Sequence, residues 1–206
     1  LLHKAGLSAK RDKYSADLCA FVTLLYGSDA YLPGTEALAQ SLLDNKVEQP
    51  LIVLIGTKIG IPTISRDAIL SMMRFERTYI EYVAEPHYLE GSAMRYLGSG
   101  IWIKMHMFSM TSYRTLVYLD ADYLVLKPLG ELFDVPRFAA AVSERLHYKS
   151  GEFSGGLLVV NPDMNLAGTI AQSLQAKSSY LFGEQDFLNT FFDKPTASTN
   201  GKIVLP

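Results

Sequence analysis

A single cysteine, Cys19, stands in 206 residues. An internal disulfide or a cysteine-based zinc site needs at least two thiols, so neither is available, and the redox compartment stays open. Excess charge of one sign is missing as well: 19 Lys plus Arg face 21 Asp plus Glu, a formal net charge of -2. Without a broad positive field to hold a phosphate backbone, nucleic acid is excluded as an expected partner. Long hydrophobic runs are also lacking. The longest, such as residues 51–55, fall far short of the roughly 20 apolar residues that cross a bilayer, so no transmembrane segment is expected. Residues 1–17 carry Lys4, Lys10, Arg11 and Lys13 with no hydrophobic stretch behind them, which reads as an exposed lead-in rather than a signal peptide. Internal repeats and low-complexity tracts are absent.

With 49% apolar and 19% charged residues, what remains is the composition of one globular domain, expected over residues 18–206. A chain of this length buries roughly 70% of its unfolded surface. It opens without Met and stops at Leu205-Pro206 directly after an apolar run, an ending expected of a domain truncated at its C-terminus.

Strand-like and helix-like segments alternate from Cys19 onward, the signature of an α/β fold with a mostly parallel sheet flanked by crossover helices. Residues 19–26 (CAFVTLLY) and 51–55 (LIVLI) are near-continuous apolar runs, as strands covered on both faces should be. Between them a helix is expected from Pro33 to Leu43, with Pro in the first turn where its missing N–H costs nothing. Ser65 is expected to cap a second helix running to about Phe75, followed by a strand near Tyr79 to Val83. After a glycine break at Gly98 to Gly100, Ile101 to Met110 reads as a helix buried except at Lys104 and His106. Strands are expected at 115–119, 138–142 and 157–161, and helices from about Pro162 to Gln175 and from Glu184 to Phe192.

Asp120 and Asp122 are the sharpest chemical feature. With eleven aspartates in the chain, chance alone supplies a D-x-D pattern roughly half the time, so position has to carry the argument. Here the pair follows a buried strand, and ligands of open α/β sheets sit beyond the carboxyl ends of strands. Two carboxylates this close repel each other unless a hard divalent cation such as Mn²⁺ or Mg²⁺ bridges them, leaving positions open for phosphate oxygens. A plain solvated turn is the competing reading.

The run KMHMFSMTSYRTLVYLDADYLVLKPLGELF (104–133), together with FVTLLYGSDAYLPGTEALAQSL (21–42), SGGLLVVNPDM (154–164) and GEQDFLNTFF (183–192), resembles glycosyltransferase family 8. It is most similar to the glycogenin-like branch with its plant starch-initiation-like and glucuronosyltransferase-like members. The four blocks stand in the family's order and cover most of residues 21–192. The resemblance implies a Rossmann-like, nucleotide-sugar-binding GT-A fold. It also implies retaining transfer of a hexosyl or hexuronosyl group from a UDP-sugar, and Mn²⁺ held by the D-x-D pair and the donor pyrophosphate.

Residue by residue, the resemblance assigns Asp120 and Asp122 to the metal and Ala121 to the neighbourhood of the ribose. Thr23, Leu24 and Tyr31 match positions around the uracil and ribose. Lys104 matches the basic residue that neutralises donor phosphate charge. A lone charge on an apolar segment needs water or an anionic partner, and the diphosphate would supply one. Ser154-Gly155-Gly156 falls where relatives carry Asn-Ser-Gly or Asn-Ala-Gly in a turn against the donor sugar; here the amide is replaced by a shorter hydroxyl. Glu184-Gln185 stands where relatives have Asp-Gln beside the anomeric carbon, so the carboxylate is one methylene longer. Glu184, Gln185 and Lys104 are therefore the expected catalytic residues. The family's later His-x-x-Gly-x-x-Lys-Pro block, which completes its metal site, does not occur before Pro206, and His3, His87, His106 and His147 offer no replacement.

By the same resemblance, the acceptor is a polysaccharide, a glycolipid or a protein hydroxyl, and a homodimer is compatible. Relatives occur in the cytosol and, behind a membrane anchor, in the Golgi lumen. Two rival readings remain: a catalytically weak or inactive UDP-sugar-binding relative, and a haloacid-dehalogenase-type phosphatase, whose first motif VYLDADYL (117–124) resembles. The phosphatase reading lacks the later acidic pair and puts three strands ahead of a motif that should open the domain.

Overall fold

A computed structural model describes residues 18–58, 60–84, 99–136, 138–142, 152–176, 183–193 and 203–205. The lead-in 1–17, Gly98, His87, His147 and the terminal Pro206 lie outside the described residues. Among the described residues, eight strands form one sheet: β1 (Cys19–Leu25), β2 (Leu51–Lys58), β3 (Ile61–Pro62), β4 (Thr78–Ala84), β5 (Thr115–Leu119), β6 (Ala139–Val142), β7 (Phe153–Val160) and β8 (Ile203–Leu205). The hydrogen-bonded order is β3-β2-β1-β5-β7-β6-β8, with β4 also paired to β2. Pairs β1–β2, β1–β5, β2–β4 and β6–β8 are parallel, whereas β7 runs antiparallel to both β5 and β6. The mostly parallel sheet expected from the alternating pattern is present.

Burial on both faces explains why β1, β2 and β5 read as unbroken apolar runs. One face packs Phe21, Leu25, Val53 and Val117 against α1 (Leu32–Asp44) and α2 (Arg66–Met72) through Leu38, Leu42, Ile69 and Met72. The other packs Val22, Leu54 and Tyr118 against α3 (Met164–Ala176), α4 (Glu184–Asp193) and a long 3-10 segment, Ser99–Ser109. Side chains alternate between the two faces along each strand, so residues 20 and 22 of β1 serve one layer and 21 and 25 the other.

Local signals account for most boundaries. Ser65 caps α2 as expected, its side chain accepting from the Ala68 N–H at 3.1 Å, though the helix ends at Met72 rather than near Phe75. Pro33 sits in the first turn of α1. Two expectations are corrected. Residues 99–109 form a 3-10 helix, not an α-helix. Because apolar residues surround the segment, the hydrophobic pattern does not distinguish a repeat of 3.0 from one of 3.6. The strand expected from Leu157 starts at Phe153 instead, so Ser154, Gly155 and Gly156 belong to β7 and not to a turn. Glycine's low strand propensity hid this start; ladder bonds to β6 and α4 side chains hold it in place.

Candidate active site

The sheet order reverses at β1. From β1 the chain winds outward through β2 to β4, then returns to β5 on the other side of β1. Crossover loops therefore leave in opposite directions above the carboxyl ends of β1 and β5, which opens a crevice there. A cavity of about 340 Å³ occupies this place. Leu24, Tyr26 and Tyr31 line it from β1 and the turn after it, and Tyr118, Asp120, Ala121 and Asp122 line it from β5 and its exit. Lys104 and Glu184 complete it from the 3-10 segment and the first turn of α4.

Lys104 is the electrostatic centre. The sequence reading leaves it as an exception to the burial of its segment, but it is only 3% exposed. Its burial is tolerated because partners surround it. The ammonium lies 2.7 Å from Glu184 Oε1 and 3.6 Å from Asp120 Oδ1, donates to the Gly155 carbonyl at 3.4 Å, and sits 4.6 Å from the centre of the Tyr118 ring. Pairing of this kind offsets the cost of burying a charge, whereas an unpaired one is strongly destabilising. Tyr118, fully inside the core, donates its hydroxyl to Asp120 Oδ1 at 2.7 Å. Burial pushes the Tyr118 phenol well above the usual tyrosine range, and the Asp120 carboxylate pushes it further the same way.

The far wall is built by matching two periodicities. Gln185 and Asn189 are one helical turn apart on α4, about 6 Å along its axis, and Phe153 and Gly155 are two residues apart on β7, a similar distance. Gln185 Oε1 accepts from the Gly155 N–H at 2.8 Å, and Asn189 both accepts from the Phe153 N–H and donates to its carbonyl at 3.0 Å. Gly156 lies against the acidic pair: the Asp120 N–H donates to its carbonyl at 2.9 Å. A Cβ there would stand 2.7 Å from Tyr123 Oη and 2.9 Å from Asp120 Oδ2, so any larger residue must push those side chains aside. On the opposite side, Gly34 in the first turn of α1 lets the Ala121 carbonyl approach to where a Cβ would lie 2.6 Å from it. The loop carrying the carboxylates is thus wedged between α1 and β7.

Of the expected site residues, Leu24, Tyr31, Lys104, Ala121, Asp120, Asp122 and Glu184 line the one cavity. Tyr31 stands at its mouth, 60% exposed. Gln185, Gly155 and Gly156 form the supporting wall through the contacts above, and the Ser154 hydroxyl accepts from the Gly156 N–H at 3.2 Å. Thr23 is not brought to the cavity lining: it is fully buried, and its Oγ1 has no hydrogen-bond partner among the described residues. It alternates with Val22 and Leu24, on the strand face shared by Phe21 and Leu25. Among the described residues no group of three or more His, Cys, Asp or Glu side chains is placed to hold a metal ion. His106 sits apart, 3.0 Å from Glu81. Tyr118 escaped the sequence reading, although the two-residue period of a strand leading into Asp120 could have found it.

Fold and cleft together define a class: a doubly wound α/β domain of the GT-A type. The chain belongs to glycosyl transferase family 8, whose sequence profile matches residues 22–202. It is 32% identical over 190 residues to inositol phosphorylceramide glucuronosyltransferase 1 of Arabidopsis thaliana, covering 91% of this chain and 33% of that protein. It is 30% identical over 174 residues to human glycogenin-2, covering 84% of this chain and 33% of that protein. The chain thus spans about a third of the length of these two relatives. Among solved structures it is similar to the galactosyltransferase LgtC in complex with donor and acceptor sugar analogues, with a TM-score of 0.65 at 18% identity, covering 90% of this chain and 72% of that one.

Proposed function

We propose that this chain carries the donor-binding and catalytic face of a retaining glycosyltransferase that moves a hexosyl or hexuronosyl group from a UDP-sugar to a hydroxyl acceptor. The observation that carries the reading is the meeting of Asp120, Asp122, Lys104 and Glu184 on one cleft at the sheet's switch point. Leu24, Tyr26 and Tyr31 give the same cleft an apolar and aromatic end suited to a nucleoside. Family membership and the similarity to two transferases support the same assignment.

Asp120 and Asp122 present hard oxygen donors on one cavity wall, and the Asp120 side chain is 40% exposed. That donor set suits Mn²⁺ or Mg²⁺ with phosphate oxygens and water filling the remaining positions. When bound, such a cation would supply Lewis-acid stabilisation of the charge that develops on the leaving phosphate.

This chain's own residues would do the rest. Lys104 provides a fixed positive charge in a dry site, where it stabilises the departing diphosphate far more than it would in water. In transfer, the bond from the anomeric carbon to the β-phosphate oxygen breaks and a bond from that carbon to the acceptor oxygen forms. The acceptor's proton leaves with the phosphate. Retention follows either from attack by Glu184 or from entry of the acceptor on the face the phosphate leaves. The 2.7 Å ion pair with Lys104 engages the Glu184 carboxylate, which weakens it as a nucleophile and supports same-face entry with Glu184 as a stabilising charge. The acceptor is a polysaccharide, a glycolipid or a protein.

The test is UDP release from UDP-glucose, UDP-galactose and UDP-glucuronate with Mn²⁺ present. One of the three should turn over, and Asp122→Asn should lower that rate by at least about 100-fold, the scale of removing one group that stabilises developing charge. Tight UDP binding without turnover of any donor would instead favour a non-catalytic UDP-sugar-binding protein.

A further inference from the structure

The geometry points to Tyr118 as the positioning residue for Asp120: its phenol fixes the orientation of the carboxylate that the cleft offers to a cation. The inference rests on the reading of Asp120 given above, and it adds a residue that reading does not contain.

Tyr118 is the next-to-last residue of β5, and Asp120 is the first residue beyond it. Two residues apart at the end of a strand, they emerge on one face. The ring is 2% exposed and packs in the layer formed by Val22, Trp102, Leu158 and Phe187. A ring held this firmly has no freedom to swing its hydroxyl elsewhere, and a buried hydroxyl without a partner is costly. The hydroxyl therefore points at one place, Asp120 Oδ1, 2.7 Å away.

Asp120 has no such restraint of its own. Its side chain is 40% exposed and its carboxylate turns about a terminal bond with a broad energy profile. Besides the Lys104 ammonium 3.6 Å from Oδ1, two neighbours limit that rotation. Tyr118 holds Oδ1, and Oδ2 rests against the space kept open by Gly156, beside Tyr123. The same Tyr118 ring also lies 4.6 Å from the Lys104 ammonium. One buried aromatic thereby sets the spacing between the anionic and the cationic halves of the cleft. Partners that orient a metal-binding carboxylate through a hydrogen bond typically change metal affinity by about 10- to 100-fold when removed.

The experiment uses Mn²⁺ alone, with the free ion counted by electron paramagnetic resonance, on the parent protein, Tyr118→Phe, Asp120→Asn and the double variant. Tyr118→Phe keeps the ring, its packing and its contact with Lys104, and removes only the hydroxyl. The expected result is Mn²⁺ affinity lowered by about 10-fold or more and no further loss when the change is added to Asp120→Asn. Should the phenylalanine variant fail to fold, Tyr118→Met fills the same space without a donor and carries the same expectation. Unchanged Mn²⁺ affinity in the hydroxyl-less variant, with affinity lost in Asp120→Asn, would overturn the role of Tyr118 and leave the cation reading standing. An equal loss in the Asp120→Asn background would also overturn it, since the effect would not pass through the carboxylate. Mn²⁺ binding indifferent to Asp120→Asn would remove the cation reading and this inference with it.

Discussion

Lys104 shows how one residue's surroundings change its meaning. In sequence it is a charge on an apolar segment; in the fold it is a buried ammonium held by Glu184 and Asp120. Removing it leaves Glu184, whose side chain is only 12% exposed, without its counter-ion. Lys104→Met should therefore destabilise the protein by about 3 kcal/mol, and Lys104→Met with Glu184→Gln should recover most of that loss, as a double-mutant cycle by urea unfolding would measure. Gly156→Ala has a different expected effect. The new Cβ would stand 2.9 Å from Asp120 Oδ2 and 2.7 Å from Tyr123 Oη, so overpacking should cost about 1–3 kcal/mol. Differential scanning calorimetry would show the lower midpoint, and Mn²⁺ binding should weaken as the carboxylate is displaced.

At the scale of elements, what the sequence conveyed depended on whether a segment's signal was local. β5 is read at its observed limits, 115–119, because a buried strand is a short apolar block ended by a turn. Ser65 is read correctly as a cap because capping is settled within four residues. The 3-10 geometry of 99–109 was not legible, since it depends on packing against the sheet rather than on pattern. Nor was the start of β7, whose Ser-Gly-Gly sequence resembles a turn until α4 side chains bond its backbone. Asn189→Ala should test that docking, since it removes both side-chain hydrogen bonds to the Phe153 backbone at the start of β7. A cost of about 2 kcal/mol is expected in thermal unfolding. A smaller link joins the start of α2 to the turn before α1, where Asp29 Oδ1 accepts from the Ser65 N–H at 2.9 Å. Hydrogen bonds from Ser65 hold the Asp29 carboxyl below its ordinary value. A depressed folded-state value contributes stability at neutral pH and loses it as pH falls through that value. Asp29→Asn should thus slightly flatten the acid limb of a stability profile below about pH 4, where an unperturbed Asp titrates.

For the whole molecule, the cleft exists because the sheet changes direction at β1. Its two banks are separated by some ninety residues of sequence, and its charges come from three different elements. A ligand that binds across such a place stabilises the entire fold by an amount that grows with the logarithm of its concentration above the dissociation constant. UDP with Mn²⁺ at 100 times its dissociation constant should add about 2.7 kcal/mol to unfolding. Asp122→Asn should abolish the Mn²⁺-dependent part of the resulting shift in melting temperature. Among the described residues no helix is long and apolar enough to cross a membrane.

The residue order by itself determined the alternation of buried strands and amphipathic helices, the placement of Asp120 and Asp122 just past a strand, and membership of a family carried by four blocks of sequence. Those features are local in the chain or repeat at a fixed short period, so they survive in one dimension. Tertiary structure alone decided that Lys104 and Glu184, eighty residues apart, form an ion pair beneath Asp120, that Tyr118 holds that aspartate, and that Thr23 lies beyond the cleft lining. The physical reason is that burial, pairing and orientation of a side chain are set by neighbours that only the sheet's winding brings within a few ångströms.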